Sequence, residues 1–255
     1  MSNDHQLARE LADLAGERLL AVRAELHASG VEGRELKDAG DAASQELLAA
    51  ALRERAPQDA VLSEEAADDH ARLSASRVWI IDPLDGTREF SEVPRDDWAV
   101  HVALWQDGSL VAGAVALPAR GITFDTDEQR RHPLPGRPEG EPPLRLAVSR
   151  SRPPAFAEEL GRTMGATTVP MGSAGVKAMS VLDGSSDAYV HAGGQYEWDS
   201  AAPVAVAAAH GLHTSRVDGS PLVYNRENPW SPDLVVCRPE VAESLLAALS
   251  TMDLG

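Results

Sequence analysis

The apolar run Val78-Trp79-Ile80-Ile81 passes without a break into Asp82-Pro83-Leu84-Asp85-Gly86-Thr87. Four β-branched or aromatic residues in a row read as a buried strand. That strand must then deliver two carboxylates, three residues apart, to one place just past its end. Pro83 fixes the backbone there and withdraws one amide donor. The spacing predicts a turn in which both side chains and a backbone carbonyl converge.

The remaining pattern supplies layers around such a sheet. Leu7, Leu11, Leu14, Ala15, Val22 and Leu26 recur at three- and four-residue steps, predicting a helix over 5–27. A second helix is expected from Ala42 to Arg55, stopped by Pro57. Strands are expected at 60–62, 98–105 and 110–117, the last two joined as a hairpin by Asp107-Gly108. Five prolines and two glycines between Arg130 and Pro143 predict a surface loop or linker. Beyond it, strands (144–148, 188–191, 234–237) alternate with helices (155–164, 174–182, 201–210, and one from Pro239). The first half, 1–143, thus reads as α+β and the second, 144–255, as layered α/β.

The 255 residues fit one large domain or two tightly fused halves. No apolar run reaches the roughly 18 residues that span a bilayer. Met1 to Glu10 lacks the basic start and apolar stretch of a secretory signal, so a cytoplasmic protein is expected. The single cysteine, Cys237, lies in the apolar run Leu234-Val235-Val236 and reads as a buried structural thiol. A net charge of −17, from 23 basic and 40 acidic side chains, repels nucleic acid polymers and anionic membranes. It would also repel a small phosphorylated substrate unless cations or a local basic group reverse the field.

Four acidic positions stand out. Glu64 follows one expected strand, Asp82 and Asp85 follow another, and Asp199 opens a helix after Trp198. Clustered carboxylates repel one another and raise each other's pKa. Mg²⁺ prefers such oxygen ligands and completes its shell with water and phosphate oxygens. Gly86-Thr87, entering a helix, can present backbone amides to a phosphate. Each feature alone has a plainer reading. Asp85-Gly86 can be a simple turn, Asp41 or Asp199 a helix cap, and Glu64 with Glu65, Asp68 and Asp69 a solvated face.

Taken in order, Asp41, Glu64-Glu65, Asp82-Pro83-Leu84-Asp85-Gly86-Thr87 and Trp198-Asp199-Ser200-Ala201-Ala202 resemble the signature of the lithium-sensitive, Mg²⁺-dependent phosphatases. That superfamily includes inositol monophosphatases, fructose-1,6-bisphosphatases and 3′(2′),5′-bisphosphate nucleotidases, and the resemblance covers about residues 5–250. It implies an αβαβα layered sandwich, a homodimer, and two or three Mg²⁺ ions per active site. By the same resemblance Glu64, Asp82, Asp85, Asp199 and the Leu84 carbonyl are metal ligands. Glu64 also helps position the attacking water, which Thr87 orients under the influence of Asp41. Gly86 and Thr87 cradle the scissile phosphate. Asp38 competes with Asp41 for the upstream role, because the stretch Lys37-Asp38-Ala39-Gly40-Asp41 is shorter than the family pattern and lacks its threonine.

Three further segments resemble the CysQ-type bisphosphate nucleotidases more than the inositol phosphatases: Arg88-Glu89-Phe90, Gly172-Ser173-Ala174-Gly175-Val176-Lys177, and Glu197-Trp198-Asp199-Ser200-Ala201-Ala202-Pro203. They imply 3′-phosphoadenosine 5′-phosphate as substrate, with Arg88, Ser173 and Lys177 as contacts, the small residues of the second segment lying near the nucleotide. Lys177 is one of only two lysines, the other being Lys37, among 23 basic residues, and a compact ammonium suits a second phosphate. Arg88 could instead pair with Glu89 or Glu92. Tyr196 or Trp198 could stack on an adenine, but Trp198 is expected rather to pack behind Asp199.

Overall fold

The computed structural model describes residues 4–130, 134, 136 and 143–254. Most of the loop expected at 130–143 lies outside the described residues. Helix α1 (Asp4–Ala28) buries Leu7, Leu11, Ala15, Leu19 and Val22. Helix α2 spans Gly33–Arg55, so it starts nine residues before the expected Ala42. Its buried face is Leu36, Gly40, Ser44, Leu48 and Leu52, a strict four-residue spacing. Glycine and serine occupy two of those positions, which hid the stripe in the sequence. Gly40 is required by contact: a Cβ there would meet Phe90 at 2.7 Å and Leu84 at 3.0 Å.

Strands β1 (Ala60–Ser63), β2 (Arg77–Asp85), β3 (Ala99–Gln106), β4 (Ser109–Leu117) and β5 (Ile122–Asp125) form one sheet in chain order. β1 pairs with β2 in parallel and the rest are antiparallel. The β3–β4 hairpin turns on Asp107 and Gly108, both with positive φ, as expected. A short helix α3 (Thr87–Ser91) follows β2. The second sheet has the order β7-β6-β8-β10-β9, from β6 (Arg145–Ser149), β7 (Thr167–Met171), β8 (Ala188–Tyr196), β9 (His213–Ser215) and β10 (Trp230–Cys237).

Burial defines the layers. Trp79, Ile81, Val100 and Val102 face α1 and α2. Val78, Ile80, Ala99 and Ala103 face the other way, onto helices α5 (Ala174–Leu182) and α6 (Glu197–Ala209) and the inner face of the second sheet. The outer face of that sheet is covered by α4 (Phe156–Met164) and α7 (Pro239–Leu249). The result is the αβαβα sandwich. Cys237 is buried in the outermost core, and burial pushes its thiol up to about 12, which fits a structural role. Among the described residues no helix is long and apolar enough to cross a membrane.

Three strands escaped the sequence reading: β5, β7 and β9. All three are sheet edges. Edge strands are short and polar because one side needs no partner, so they carry little apolar signal. β7 even contains Pro170, which an edge tolerates.

Candidate metal and phosphate site

The acidic segment is a bulge within β2 and its immediate continuation, where a turn past the strand was expected. Asp82 pairs with His101 and Asp85 with Ala99, so three steps on β2 oppose two on β3. In a regular strand, residues three apart point to opposite faces. The extra residue turns Asp85 back to the face of Asp82, the face that meets α5 and α6. Asp82 Oδ1 accepts from the Leu84 amide at 3.0 Å, and Ser44 of α2 donates to the Pro83 carbonyl at 2.7 Å, pinning the bulge from both sides. The Leu84 side chain is buried in the core beside α2, leaving its backbone as the part free to serve the site.

Glu64 follows β1, whose Ser63 pairs with Ile81, so it lies beside Asp82. Asp199 is the third residue of α6, where an opening position was expected, and its Oδ2 accepts from the Tyr196 amide at 2.6 Å. These carboxylates crowd one another. Burial, then the charges of Asp85, Glu64 and Asp199, drive Asp82 well above the usual carboxylate range. Burial and the charges of Asp199, Asp85 and Glu65 push Glu64 up to about 7, although its exposed side chain leaves that crowding open to screening. Burial and Asp85 raise Asp199 to about 6. Burial also works against the charged form of Asp85, but His101, Lys177 and the Gly175 amide hold it at about 2.

His101 carries no signal in the sequence reading, yet it is completely buried at the centre of this group. Its Nδ1 lies 3.1 Å from the Trp198 carbonyl and its Nε2 3.2 Å from Asp85 Oδ2. Burial opposes its protonation, but the contact with Asp85, the Trp198 carbonyl and the charge of Asp199 outweigh that and raise its pKa. Ligand atoms of Asp82, Asp85 and His101 all lie within 4.8 Å of one another. Two of those atoms are mutually repelling carboxylate oxygens, from Asp82 and Asp85, and a hard divalent cation would relieve the crowding that burial imposes on them.

The same cleft, about 690 Å³ in volume, is lined by Asp85, Gly86, Thr87, Arg88, Ser173, Lys177 and Asp199. Lys37, Arg152, Tyr189 and His191 also line it, and none of them was expected there. Only their position on the folded chain marks them. Gly86 caps α3 in the left-handed conformation, and Thr87 is the first residue of that helix. Ser173 is the N-cap of α5; its Oγ accepts from the Val176 amide at 2.9 Å, so that acceptor is engaged in holding the helix.

The fold gives these positions definite surroundings. Arg88 pairs with neither Glu89 nor Glu92; both of those bind Arg150, at 2.7 and 2.8 Å, and Arg88 is left exposed along the cleft. Lys177 is buried, and its Nζ donates to the carbonyls of Gly172 and Ser173, so it braces the loop as well as lining the cleft. Trp198 stacks on Tyr196 with ring centroids 4.7 Å apart. Gly175 is small because a Cβ would collide with His101 Nε2, a reason internal to the protein.

The upstream acids also separate. Asp38 is exposed, 3.5 Å from Arg34 Nε. Asp41 is half-buried, and burial with the nearby charges of Glu65 and Asp38 lifts it to about 7. Among the described residues no hydrogen bond joins Asp41 to Thr87.

An αβαβα sandwich with a carboxylate cluster at the bulged end of a central strand defines a class of metal-dependent phosphatases. A model of the inositol monophosphatase family matches residues 2–252, and the chain belongs to that family. A protein of Mycobacterium bovis named 3′-phosphoadenosine 5′-phosphate phosphatase is 53% identical over 92% of this chain and 89% of its own length. A Mycobacterium leprae protein of the same name is 51% identical, over 96% and 93%. The crystal structure of CysQ from Bacteroides thetaiotaomicron superposes with a TM-score of 0.76 at 25% identity, covering 93% of this chain and 98% of that one.

Proposed function

We propose that this chain is a Mg²⁺-dependent phosphomonoesterase that converts 3′-phosphoadenosine 5′-phosphate to AMP and phosphate, and that it also accepts the sulfated analogue. One observation carries the reading: a single cleft is lined both by carboxylates of the acidic cluster and by Lys37, Arg88, Arg152 and Lys177. The first group suits cations that bind a scissile phosphate, and the second suits another phosphate on the same substrate. This arrangement also accounts for an anionic ligand on a protein of net charge −17. The names of the mycobacterial relatives support the choice of nucleotide.

Glu64, Asp82, Asp85, Asp199 and the Leu84 carbonyl would hold two or three Mg²⁺ ions. Bound there, they would supply a more acidic water and stabilisation of the departing ester oxygen. The chain's own groups do the positioning. Gly86 and Thr87 present amides to the scissile phosphate. Glu64, Thr87 and Asp41 orient the attacking water. The water oxygen bonds to phosphorus as the ester P–O bond breaks, and a proton passes to the ribose oxygen. Lys177, Arg88, Arg152 and Lys37 hold the remaining phosphate, and Ser173 fixes the helix start beneath it. Family membership supports a homodimer, and light scattering would test it.

Phosphate release measured in parallel on 3′-phosphoadenosine 5′-phosphate, inositol-1-phosphate and fructose-1,6-bisphosphate tests the reading. The nucleotide is expected to give the highest kcat/KM, with turnover that requires Mg²⁺ and is inhibited by Li⁺. Turnover without divalent cations would sink the mechanism. A preference for either sugar phosphate would move the substrate.

A further inference from the structure

His101 is a polar residue in an apolar row. Its neighbours on the same face of β3, Ala99 and Ala103, belong to the core that packs on α5 and α6. Packing at that position calls for a small aliphatic side chain, and burying an imidazole costs solvation unless polar partners offset it. The partners are specific. The Trp198 carbonyl can only accept, so Nδ1 carries the proton that spans the 3.1 Å between them. Nε2 faces Asp85 Oδ2 at 3.2 Å, and Nδ1 is 4.0 Å from Asp82 Oδ2. A third element makes room: α5 passes so close that only glycine fits at position 175, and the Gly175 amide donates to the same Asp85 oxygen at 2.7 Å.

We propose that His101 is a positioning residue that holds Asp85 and Asp199 in one cation-binding geometry, by tying the bulged end of β2 to the first turn of α6. This rests on the metal-dependent reading above. Asp85 stands on β2 and Asp199 directly follows Trp198 on α6, so the ring is the side chain that touches both supports. Nδ1 is committed to a carbonyl, and hard cations take oxygen donors in preference to imidazole. Partners that orient metal-binding carboxylates set affinity without touching the ion. Without the ring, Asp85 loses its 3.2 Å contact with β3, and the Trp198 carbonyl loses the side-chain donor that links α6 to that strand.

The test is Mg²⁺ titration by calorimetry on substrate-free protein, alongside the Mg²⁺ midpoint of phosphate release, for the parent and His101→Ala, His101→Asn and His101→Gln. Binding and midpoint are expected to weaken about 10- to 100-fold in His101→Ala. Partial recovery is expected in whichever amide variant reaches the Trp198 carbonyl. KM for the nucleotide at saturating Mg²⁺ should stay within about twofold. A purely structural role would lower Tm and the active fraction equally at every Mg²⁺ concentration and leave the midpoint in place. Should His101→Ala not fold, the two amide variants carry the measurement. Folded variants with the parent's Mg²⁺ affinity would overturn the proposal alone. A parent that takes up no Mg²⁺ would overturn the metal-dependent reading with it.

Discussion

The Gly175 amide donates to Asp85 Oδ2 at 2.7 Å, which joins the start of α5 to the bulge of β2. A helix start carries unpaired amides and partial positive charge, so it adds to the larger hold that His101, and then Lys177, have on the ionised carboxylate. Asp85 is accordingly the low-pKa member of a set whose other members are raised. Asp85→Asn keeps one oxygen for Gly175 and removes the charge. The variant is expected to fold, by circular dichroism, and to lose about a hundredfold or more in kcat. Near-normal turnover would take Asp85 out of the metal site.

Lys177→Ala removes two things at once: the brace on the Gly172 and Ser173 carbonyls and a cation on the cleft wall. The two roles separate by substrate. Loss of the brace should affect every phosphate ester alike. Loss of a phosphate contact should lower kcat/KM for the adenosine bisphosphate about tenfold more than for inositol-1-phosphate, the size of one charge-assisted hydrogen bond. Equal losses on the two substrates would make Lys177 a structural residue.

Glu64, Asp82, Asp85 and Asp199 were legible in the sequence because each acid sits at the end or start of a strongly patterned element. The bulge was not, since the pairing of Asp82 with His101 and of Asp85 with Ala99 is a relation between strands. His101 was invisible for the same reason: alternating with Val100 and Val102, it reads as one polar residue in a strand. Lys37 and Arg152 reach the cleft from α2 and from the loop after β6, and nothing local marks them as neighbours. The start of α2 was missed because Gly40 and Ser44 fill core positions that only Leu84, Phe90 and the Pro83 carbonyl explain.

The upstream acid is decided by two substitutions. Asp38 faces solvent beside Arg34, whereas Asp41 is half-buried near Glu65. Asp41→Asn is expected to lower kcat at least about tenfold with little change in KM, as loss of water orientation would. Asp38→Asn should leave both constants within about twofold, the usual range for a surface change. Loss of rate only at Asp38 would reverse the assignment.

Stability should depend on pH in a direction set by the same crowding. In the unfolded chain carboxyl groups titrate near about 4. In the fold Asp82 is raised well above that, Glu64 and Asp41 to about 7, and Asp199 to about 6. Between those limits the folded protein binds more protons than the unfolded chain. Stability then falls as pH rises from about 4 to about 7. Asp85, held at about 2, contributes stability that is complete above the unfolded carboxylate value and is lost only toward its own lower pKa, so it is constant across this window. His101 is raised, so its contribution is lost only as pH passes its folded value, in the same direction. His191 is lowered and works the other way, one group against the set. In metal-free protein Tm should therefore decline across the window. Carboxylates bind a divalent cation in their deprotonated form, so the Tm gain expected from Mg²⁺ should be small at pH 5 and grow toward pH 8. Differential scanning fluorimetry with and without Mg²⁺ at matched ionic strength measures both. A gain of equal size at pH 5 and pH 8 would mean that the crowded carboxylates are not where Mg²⁺ binds.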